Sequence, residues 1–591
     1  MDAKSGSVVE MVRFVDILRD EVDPQTGRVD VPDWSPRYQY PVAALAWLHA
    51  NEHPDNPFHG DGGILKMCVA MTRHLVSQQD DRGRFDGGGG SYGYVEWPAY
   101  YMIRACEFLG GALDAETRSL VERSVERYLA GVLPRPFFHT SFNHEAWRSL
   151  DAVAAGQCFG RADWLEQGLY LARQLCRIQN PAGYWHEGPH HGPSASYNYV
   201  MLGPLAMISY RTGDAVVRAA ADRLREFMLR FVFPDGTTPG SFDGRQSMRL
   251  AAGAVDFSRC PRGRRLNRLA AGVAEKLELR DPLGPHYAMS NWGAHSQPAA
   301  AADRADYWSD DGGGEDVPLP QESDGYREVV EGDVFDGGVF RAHGWMAALS
   351  GYCSDVTRIG SSPYRLERNS RIDLWHPEFG IIVGGGSTGS AAKAPAANVH
   401  VVTGYGCGVD FGLVAEGDAW DRQGNYHPRA GRTEFPDGAG TGRLELHFGH
   451  GTCRFEVEPA GENSCAVRFR VDSRGLKAAY VQLPLVVVDG GAVSVGGATV
   501  APAPDGAPAV PVPEESAVEL TSPLAAPGKR ASIVPPAGRE CRLRPPVEPL
   551  RSYRGLSGAE RYGPVFRIAL LSAKLDAPGE REEGEFLIEL R

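Results

Sequence analysis

The chain has 591 residues, with 61 Lys+Arg against 75 Asp+Glu and a formal net charge of −14. Hydrophobic residues make up 42% and charged residues 23%, the composition of a globular protein long enough for two or three domains and not of a disordered chain. The acidic balance excludes a nucleic-acid binder that relies on global charge, and leaves a local basic cleft open.

The opening residues, Met1 to Asp23, lack a basic start followed by an apolar run, and no apolar stretch of about 18 residues occurs anywhere. Neither a signal peptide nor a membrane span is expected. The protein is expected to be cytoplasmic if this is its natural start, and periplasmic or secreted if a leader has been trimmed. Apolar residues then recur at helical spacing in 37–52, 63–78, 97–111, 116–132, 145–160, 164–179, 196–213 and 215–232, joined by segments rich in Gly, Pro, Asp and Asn. About ten helices in consecutive hairpins are expected. Many are apolar on more than one face, which suits two concentric layers, and no heptad persists. The expected architecture for 1–300 is an (α/α) toroid.

The pattern changes near residue 301. Residues 301–325 are acidic, Gly/Pro-rich and aperiodic, which predicts a linker. From Tyr326 to Arg591 short alternating runs separated by Gly-rich turns predict a large antiparallel β-sandwich, interrupted by a Pro/Ala-rich loop at 501–516. No repeat of about 20–50 residues stands out beyond the hairpins. The ten cysteines are scattered with no CxxC pair, and several fall in apolar helical stretches. Buried free thiols are expected, not a disulfide framework or a zinc ribbon.

Four clusters at helix entrances carry chemistry. Residues 184–199 hold Tyr184, Trp185, His186, Glu187, His190, His191, Tyr197, Asn198 and Tyr199. Residues 135–147 contain Asn143-His144 at the start of a helix, a pair that taken alone reads more readily as an N-cap beside an ordinary histidine. Residues 80–100 are aromatic and Gly-rich and end in Trp97 and Tyr100. Residues 233–247 contain Asp243 and Arg245. In a toroid of hairpins alternate loops share a rim, so the four can converge on one cleft. Aromatic faces and polar groups on a rim suit a sugar chain.

Asn143-His144 followed by G-Y-x-x-E-G-P (from Gly183) and S-Y-x-Y (Ser196 to Tyr199), on a helical toroid joined to a β domain, resembles the heparinase II/III-like polysaccharide lyases. That group includes alginate, glucuronan and glycosaminoglycan lyases. The resemblance covers most of the chain in architecture, but in motif only Asn143-His144 and the 183–199 loop. It implies β-elimination: Asn143 neutralises the uronate carboxylate, His144 acts as base or cationic partner, and Tyr199 protonates the leaving oxygen and can also serve as base. Tyr197 takes that part if the register is shifted by two residues. It also implies a contribution from the β domain, where Arg365, Arg368, Asn369, His376, His400, Tyr405 and His427 are candidates. Trp97, Tyr100, Tyr184, Glu187, His190, His191, Arg245, His400 and Tyr405 are the expected substrate contacts. Some relatives carry zinc in the β domain. No HxxxH or clustered Cys/His spacing occurs here, so neither metal nor cofactor is expected.

Only seven of the 61 basic residues are lysines, and arginine suits bidentate recognition of carboxylates. The one dense basic run, 262–268, reads as a solvated helix face and does not accompany the rim motifs. A carboxylate-only uronan such as alginate or glucuronan is therefore the expected ligand, ahead of a densely sulfated chain. Two other classes remain open. A glycoside hydrolase would need flanking carboxylates, such as Glu187 with Asp243 or Asp86. A non-catalytic carbohydrate-binding protein would show binding without turnover.

Overall fold

In a computed structural model the described residues are 3–30, 36–85, 96–137, 142–186, 193, 195–242, 257, 260–277, 297–307, 317–330, 335–352, 371–384, 408–410, 430–436, 438, 440–448, 451–473, 478–503, 507–547, 566–576 and 581–591. They form eleven α-helices followed by two antiparallel sheets.

The helices are α1 (Ala3–Glu21), α2 (Val42–Ala50), α3 (Gly62–Ser77), α4 (Trp97–Leu109), α5 (Ala115–Val132), α6 (Phe142–Phe159), α7 (Ala162–Arg177), α8 (Ala195–Thr212), α9 (Ala215–Arg230), α10 (Pro261–Lys276) and α11 (Gln297–Tyr307). Even-numbered α2, α4, α6 and α8 form an inner row, each packed on the next, and α3, α5, α7 and α9 lie outside them. The two rows differ as their sequences require. In α4 eleven of the thirteen side chains are buried, on every face. In α7 the buried set is Trp164, Gly168, Leu171, Ala172, Leu175 and Cys176, a single stripe. Three of the four outer helices start at acidic caps: Asp61 of α3 accepts from Gly63 and Ile64, Asp114 of α5 from Thr117, and Asp214 of α9 from Val216 and Val217.

Inner helices α4, α6 and α8 run parallel, because their C-terminal ends meet. Arg211 of α8 pairs with Glu107 of α4 at 2.6 Å and donates to the Tyr307 hydroxyl at 2.6 Å. Gln157 of α6 donates to the Arg211 carbonyl at 3.1 Å. Arg104 meets Asp303 at 2.9 Å, and burial pushes the Asp303 carboxyl up to about 6 against the pull of Arg104. The N-terminal ends of α4, α6 and α8 therefore share the opposite rim.

The expected linker is corrected over its first residues. Residues 297–307 form α11, which packs on α1 and α2, and Arg304 pairs with Glu10 at 2.5 Å. The alanines of QPAAAADRADY give that segment its helix and its buried face, with Ala299, Ala301, Ala302 and Ala305 in the core, despite the acidic residues that follow. α1 is a further helix that the periodicity of the opening residues did not bring out.

Strands are numbered in chain order. The first sheet has the order β1 (Arg327–Val329), β2 (Gly337–Ala342), β3 (Trp345–Ser350), β4 (Arg371–His376), β5 (Gly380–Val383), β11 (Ala478–Val488), β18 (Phe566–Asp576), β17 (Cys541–Val547) and β14 (Val510–Val512), with β6 (Gly408–Asp410) beside β11. The second has β13 (Ala498–Thr499), β12 (Ala492–Val495), β15 (Val518–Thr521), β16 (Ala531–Val534), β19 (Glu582–Leu590), β10 (Ser464–Ser473), β9 (Gly451–Gly461), β8 (Gly442–Phe448) and β7 (Ala430–Glu434).

The first sheet is covered on both faces. Ile372 and Leu374 of β4 point into the core between the sheets, while Trp375 belongs to the helical core. On that helical face the Asp373 carboxylate accepts from the Gly240 and Ser241 N–H groups at 3.1 and 2.7 Å, and the Trp375 indole donates to Asp235 at 2.7 Å. The second sheet turns an ionic face to solvent. Glu434, Arg443, Glu456, Arg468 and Glu585 lie side by side across β7, β8, β9, β10 and β19 in strict alternation of sign. Such pairs add little stability each, but they keep the face wet. The eight cysteines among the described residues are free, and burial pushes the Cys68 thiol up to about 12. No helix among the described residues is long and apolar enough to cross a membrane.

Candidate active site at the N-terminal rim

Two copies of one turn deliver loops to this rim. Gln79 and Gln179 each follow an outer helix, and each side-chain amide donates to the glycine carbonyl four residues on, Gly83 at 3.1 Å and Gly183 at 2.8 Å. The same amides donate to the next outer helix, at Ser124 (2.9 Å) and Ala220 (2.9 Å). Both glycines have positive φ, +81° and +107°, and a Cβ on either would sit 2.5 or 2.6 Å from the carbonyl oxygen of Arg127 or Arg223. Only glycine fits. The first turn leads toward α4, and the second leads through Tyr184, Trp185 and His186 toward α8.

At the head of α4 stands Glu96, followed by Trp97 and a proline in the first turn, where a missing N–H costs nothing. At the head of α6 stand Asn143 and His144. His144 Nδ1 lies 2.9 Å from Glu96 Oε2, and the Glu96 side chain is only 8% exposed. A carboxylate can only accept, so facing an ionised Glu96 it is Nδ1 that carries a proton, and in the neutral ring Nε2 then carries the lone pair. Trp97 meets the His144 ring edge-on with centroids 5.5 Å apart, and Trp147 backs Trp97 at 5.8 Å. The ring is thus held in plane, as a positioned base requires. Asn143 is 2% exposed, and its Oδ1 has no hydrogen-bond partner among the described residues. A buried amide atom without a partner is costly, so this position is not explained by the stability of the fold alone.

Beneath this pair lies a buried ionic layer. Arg148 meets Glu145 at 3.1 Å, and the Tyr128 hydroxyl donates to Asp151 at 2.8 Å. Burial holds the Asp151 carboxyl well above the usual carboxylate range, against the Tyr128 hydrogen bond and with the charge of Glu96 adding to it.

At the head of α8, Asn198 clamps the incoming loop. Its Oδ1 accepts from the Trp185 N–H at 2.9 Å and its Nδ2 donates to the Trp185 carbonyl at 3.0 Å. Tyr197 and Tyr199, on either side of it, are half-buried, and Tyr199 rests edge-on against Phe257 at 5.6 Å. Since α8 packs on α6 with parallel direction, these tyrosines and Asn143-His144 head neighbouring helices.

Several expected contacts are corrected. Tyr184 is fully buried between Phe227 and Phe335, and Tyr100 is fully buried with its hydroxyl on Asp303 at 3.0 Å and on the Met207 sulfur at 3.1 Å. Trp97 is 4% exposed and backs His144 instead of offering a face to a sugar. These aromatics build the wall behind the site. Glu187, His190, His191, Arg245, His400 and Tyr405 lie outside the described residues, as do Asp86, Asp243, Arg365, Arg368, Asn369 and His427. His376 is buried under Trp345 within the sheets, so it does not face the rim. Glu96 was missed by sequence reasoning, and its signal was a carboxylate directly before Trp-Pro at a helix start. Among the described residues no group of three or more His, Cys, Asp or Glu gathers as a metal site would require.

No protein-family model matches the sequence, and no curated protein is similar to it in sequence. Solved structures do share its fold. A chondroitin AC lyase of Streptomyces coelicolor A3, in complex with chondroitin sulphate, matches with a TM-score of 0.55 at 12% identity, over 99% of this chain and 79% of that one. A chondroitinase AC lyase studied with oligosaccharides matches with a TM-score of 0.53 at 11% identity, over 99% and 82% of the two chains. A heparinase III matches with a TM-score of 0.51 at 10% identity, over 94% and 76%. The toroid joined to stacked antiparallel sheets is thus the architecture of these structures.

Proposed function

We propose that the chain is a polysaccharide lyase that cleaves a uronic-acid-containing polysaccharide or oligosaccharide by β-elimination. The observation that carries this reading is the Asn143–His144–Glu96 constellation at the rim, with a buried asparagine whose Oδ1 has no partner among the described residues beside a histidine held by a carboxylate. The shared fold with glycosaminoglycan lyases supports it.

In the proposed reaction the Asn143 Nδ2 donates to the uronate carboxylate, so that negative charge can build next to C5. His144 Nε2, or the Tyr199 oxygen, takes the C5 proton. The C5–H electrons form the C4=C5 double bond, the C4–O bond breaks, and the leaving oxygen takes its proton from the Tyr199 hydroxyl. Glu96 stabilises the imidazolium that forms when His144 is the base. No water enters the products, and one end carries a 4,5-unsaturated uronate.

The preferred substrate is an unsulfated uronan such as alginate or glucuronan. Supporting this, the buried arginines of the helical half, Arg104, Arg148, Arg211 and Arg304, are all paired with carboxylates inside the protein. They are committed to the fold and not to sulfate groups. The test is a panel of alginate, glucuronan, chondroitin and heparan chains, followed by ultraviolet absorbance and reducing ends. New absorbance with alginate or glucuronan is expected. Reducing ends without absorbance would replace the lyase reading with a hydrolase, and binding with neither would leave a carbohydrate-binding protein.

A further inference from the structure

Below its first turn, α6 carries a polar seam into the helical core. Asn143, Trp147 and Asp151 fall at every fourth position, so they share one face, each about 6 Å further along the axis. All three are enclosed, at 2%, 2% and 0% exposure. Each has one atom without a hydrogen-bond partner among the described residues: Asn143 Oδ1, Trp147 Nε1 and Asp151 Oδ1. Three such atoms in register on one helix are a seam and not an isolated defect. Trp147 lies at its centre, with its ring held on two sides. Trp97 meets it at 5.8 Å and Tyr100 edge-on at 5.3 Å. The Tyr100 hydroxyl is engaged with Asp303 and the Met207 sulfur. An indole nitrogen only donates, and an unpaired donor in the core is a cost that a phenylalanine at 147 would not carry.

We propose that Trp147 is a positioning residue for Asn143, its indole N–H holding the amide oxygen through one buried water. The proposal rests on the reading of Asn143 as the donor to the uronate carboxylate. Two hydrogen bonds of about 2.9 Å in series span the one-turn separation of about 6 Å. A buried water is stable where it finds two or more polar partners, and an indole donor with an amide acceptor supplies them. The polarity of the contact is what serves the reaction. An amide offers an oxygen on one side and an NH2 on the other. A donor beneath it fixes Oδ1 inward and leaves Nδ2 for the cleft. With the amide reversed, its oxygen would face the uronate carboxylate and repel it. Trp147 therefore acts through Asn143 and does not touch the substrate.

The test uses the full chain labelled with ¹⁵N at tryptophan and needs no turnover for its first part. The Trp147 indole N–H resonance is assigned by its loss in Trp147→Phe, or in Trp147→Tyr should the first variant not fold. Asn143→Ala is expected to shift that resonance upfield, as a donor that loses its acceptor does. Kinetics by absorbance then separate positioning from packing, because phenylalanine keeps a ring against Trp97 and removes the N–H. Trp147→Phe is expected to lower kcat about two- to tenfold, the worth of one neutral hydrogen bond. In the Asn143→Ala background the same change should cost less than about twofold, since the group it positions is gone. If the resonance stays in place in Asn143→Ala, or if the two kinetic losses simply multiply, the positioning role is overturned, whether or not the chain is a lyase. If the resonance moves as expected but no uronan yields unsaturated product, the contact between Trp147 and Asn143 stands and the lyase reading falls.

Discussion

Glu96→Gln is the most informative change at the rim. It preserves length and shape and removes only the charge that faces His144 Nδ1 at 2.9 Å. A hydrogen bond to a charged group is worth about 1.5–3 kcal/mol and a neutral one about 0.5–1.5, so the exchange forfeits about 1–2 kcal/mol of ring orientation. At about 1.4 kcal/mol per decade that alone slows turnover roughly 5- to 30-fold. The amide brings a second penalty. If it presents its NH2 to Nδ1, the proton moves to Nε2 and the lone pair that would take the C5 proton is lost. The whole contribution of a positioned base, about 10²–10⁴, is then at stake. The assay is kcat and KM on the preferred uronan by absorbance, beside thermal unfolding, because Glu96 is nearly buried. A fall in kcat of at least about fivefold with little change in KM or melting temperature is expected. Turnover within twofold of the parent would refute the idea that this pair serves the chemistry.

Three other predictions follow from the same geometry. Tyr199→Phe should abolish turnover while sparing oligosaccharide binding, and if it retains full activity Tyr197→Phe becomes the discriminating variant. Asn143→Ala should lower kcat by about 10²–10³, the cost of losing one donor aimed at developing charge, and an unchanged kcat would remove Asn143 from the reaction. The last concerns stability. Burial pushes the His376 imidazole down to about 4, so between its unfolded value near 6.5 and that point only the unfolded chain binds the extra proton. Stability from this group is present above about 6.5 and falls as pH drops toward 4, by about 3 kcal/mol at most. His376→Gln should flatten that part of a urea-midpoint profile measured from pH 7 to 4.5, and an equally steep profile would count against it.

How much of this was legible in the sequence depends on what each residue type reports. The positions of helices α2 to α9 were, because apolar spacing in segments such as 164–179 translates directly into a buried stripe on α7. The shared rim was also legible, since alternating hairpins put every second loop on one side. Burial inside the inner row was not. α4 is covered on all faces, so no pattern distinguishes Tyr100, deep in the wall, from an aromatic offered to a ligand. Tyr184 misled for a related reason. It sits in a loop, where exposure is the usual expectation, but a turn held by Gln179 and pressed on Arg223 drives it under Phe335. Glu96 went unread because its partner is 48 residues away, and only the packing of α4 on α6 brings the two together.

The central claim is elimination, and the mass balance of the products tests it most directly. A uronan oligomer of defined length is digested to completion and the fragments are weighed by mass spectrometry. If the account is right, the two fragment masses sum to that of the substrate, and one fragment carries the unsaturated ring. Fragment masses that together exceed the substrate by one water would mean hydrolysis, and would contradict it.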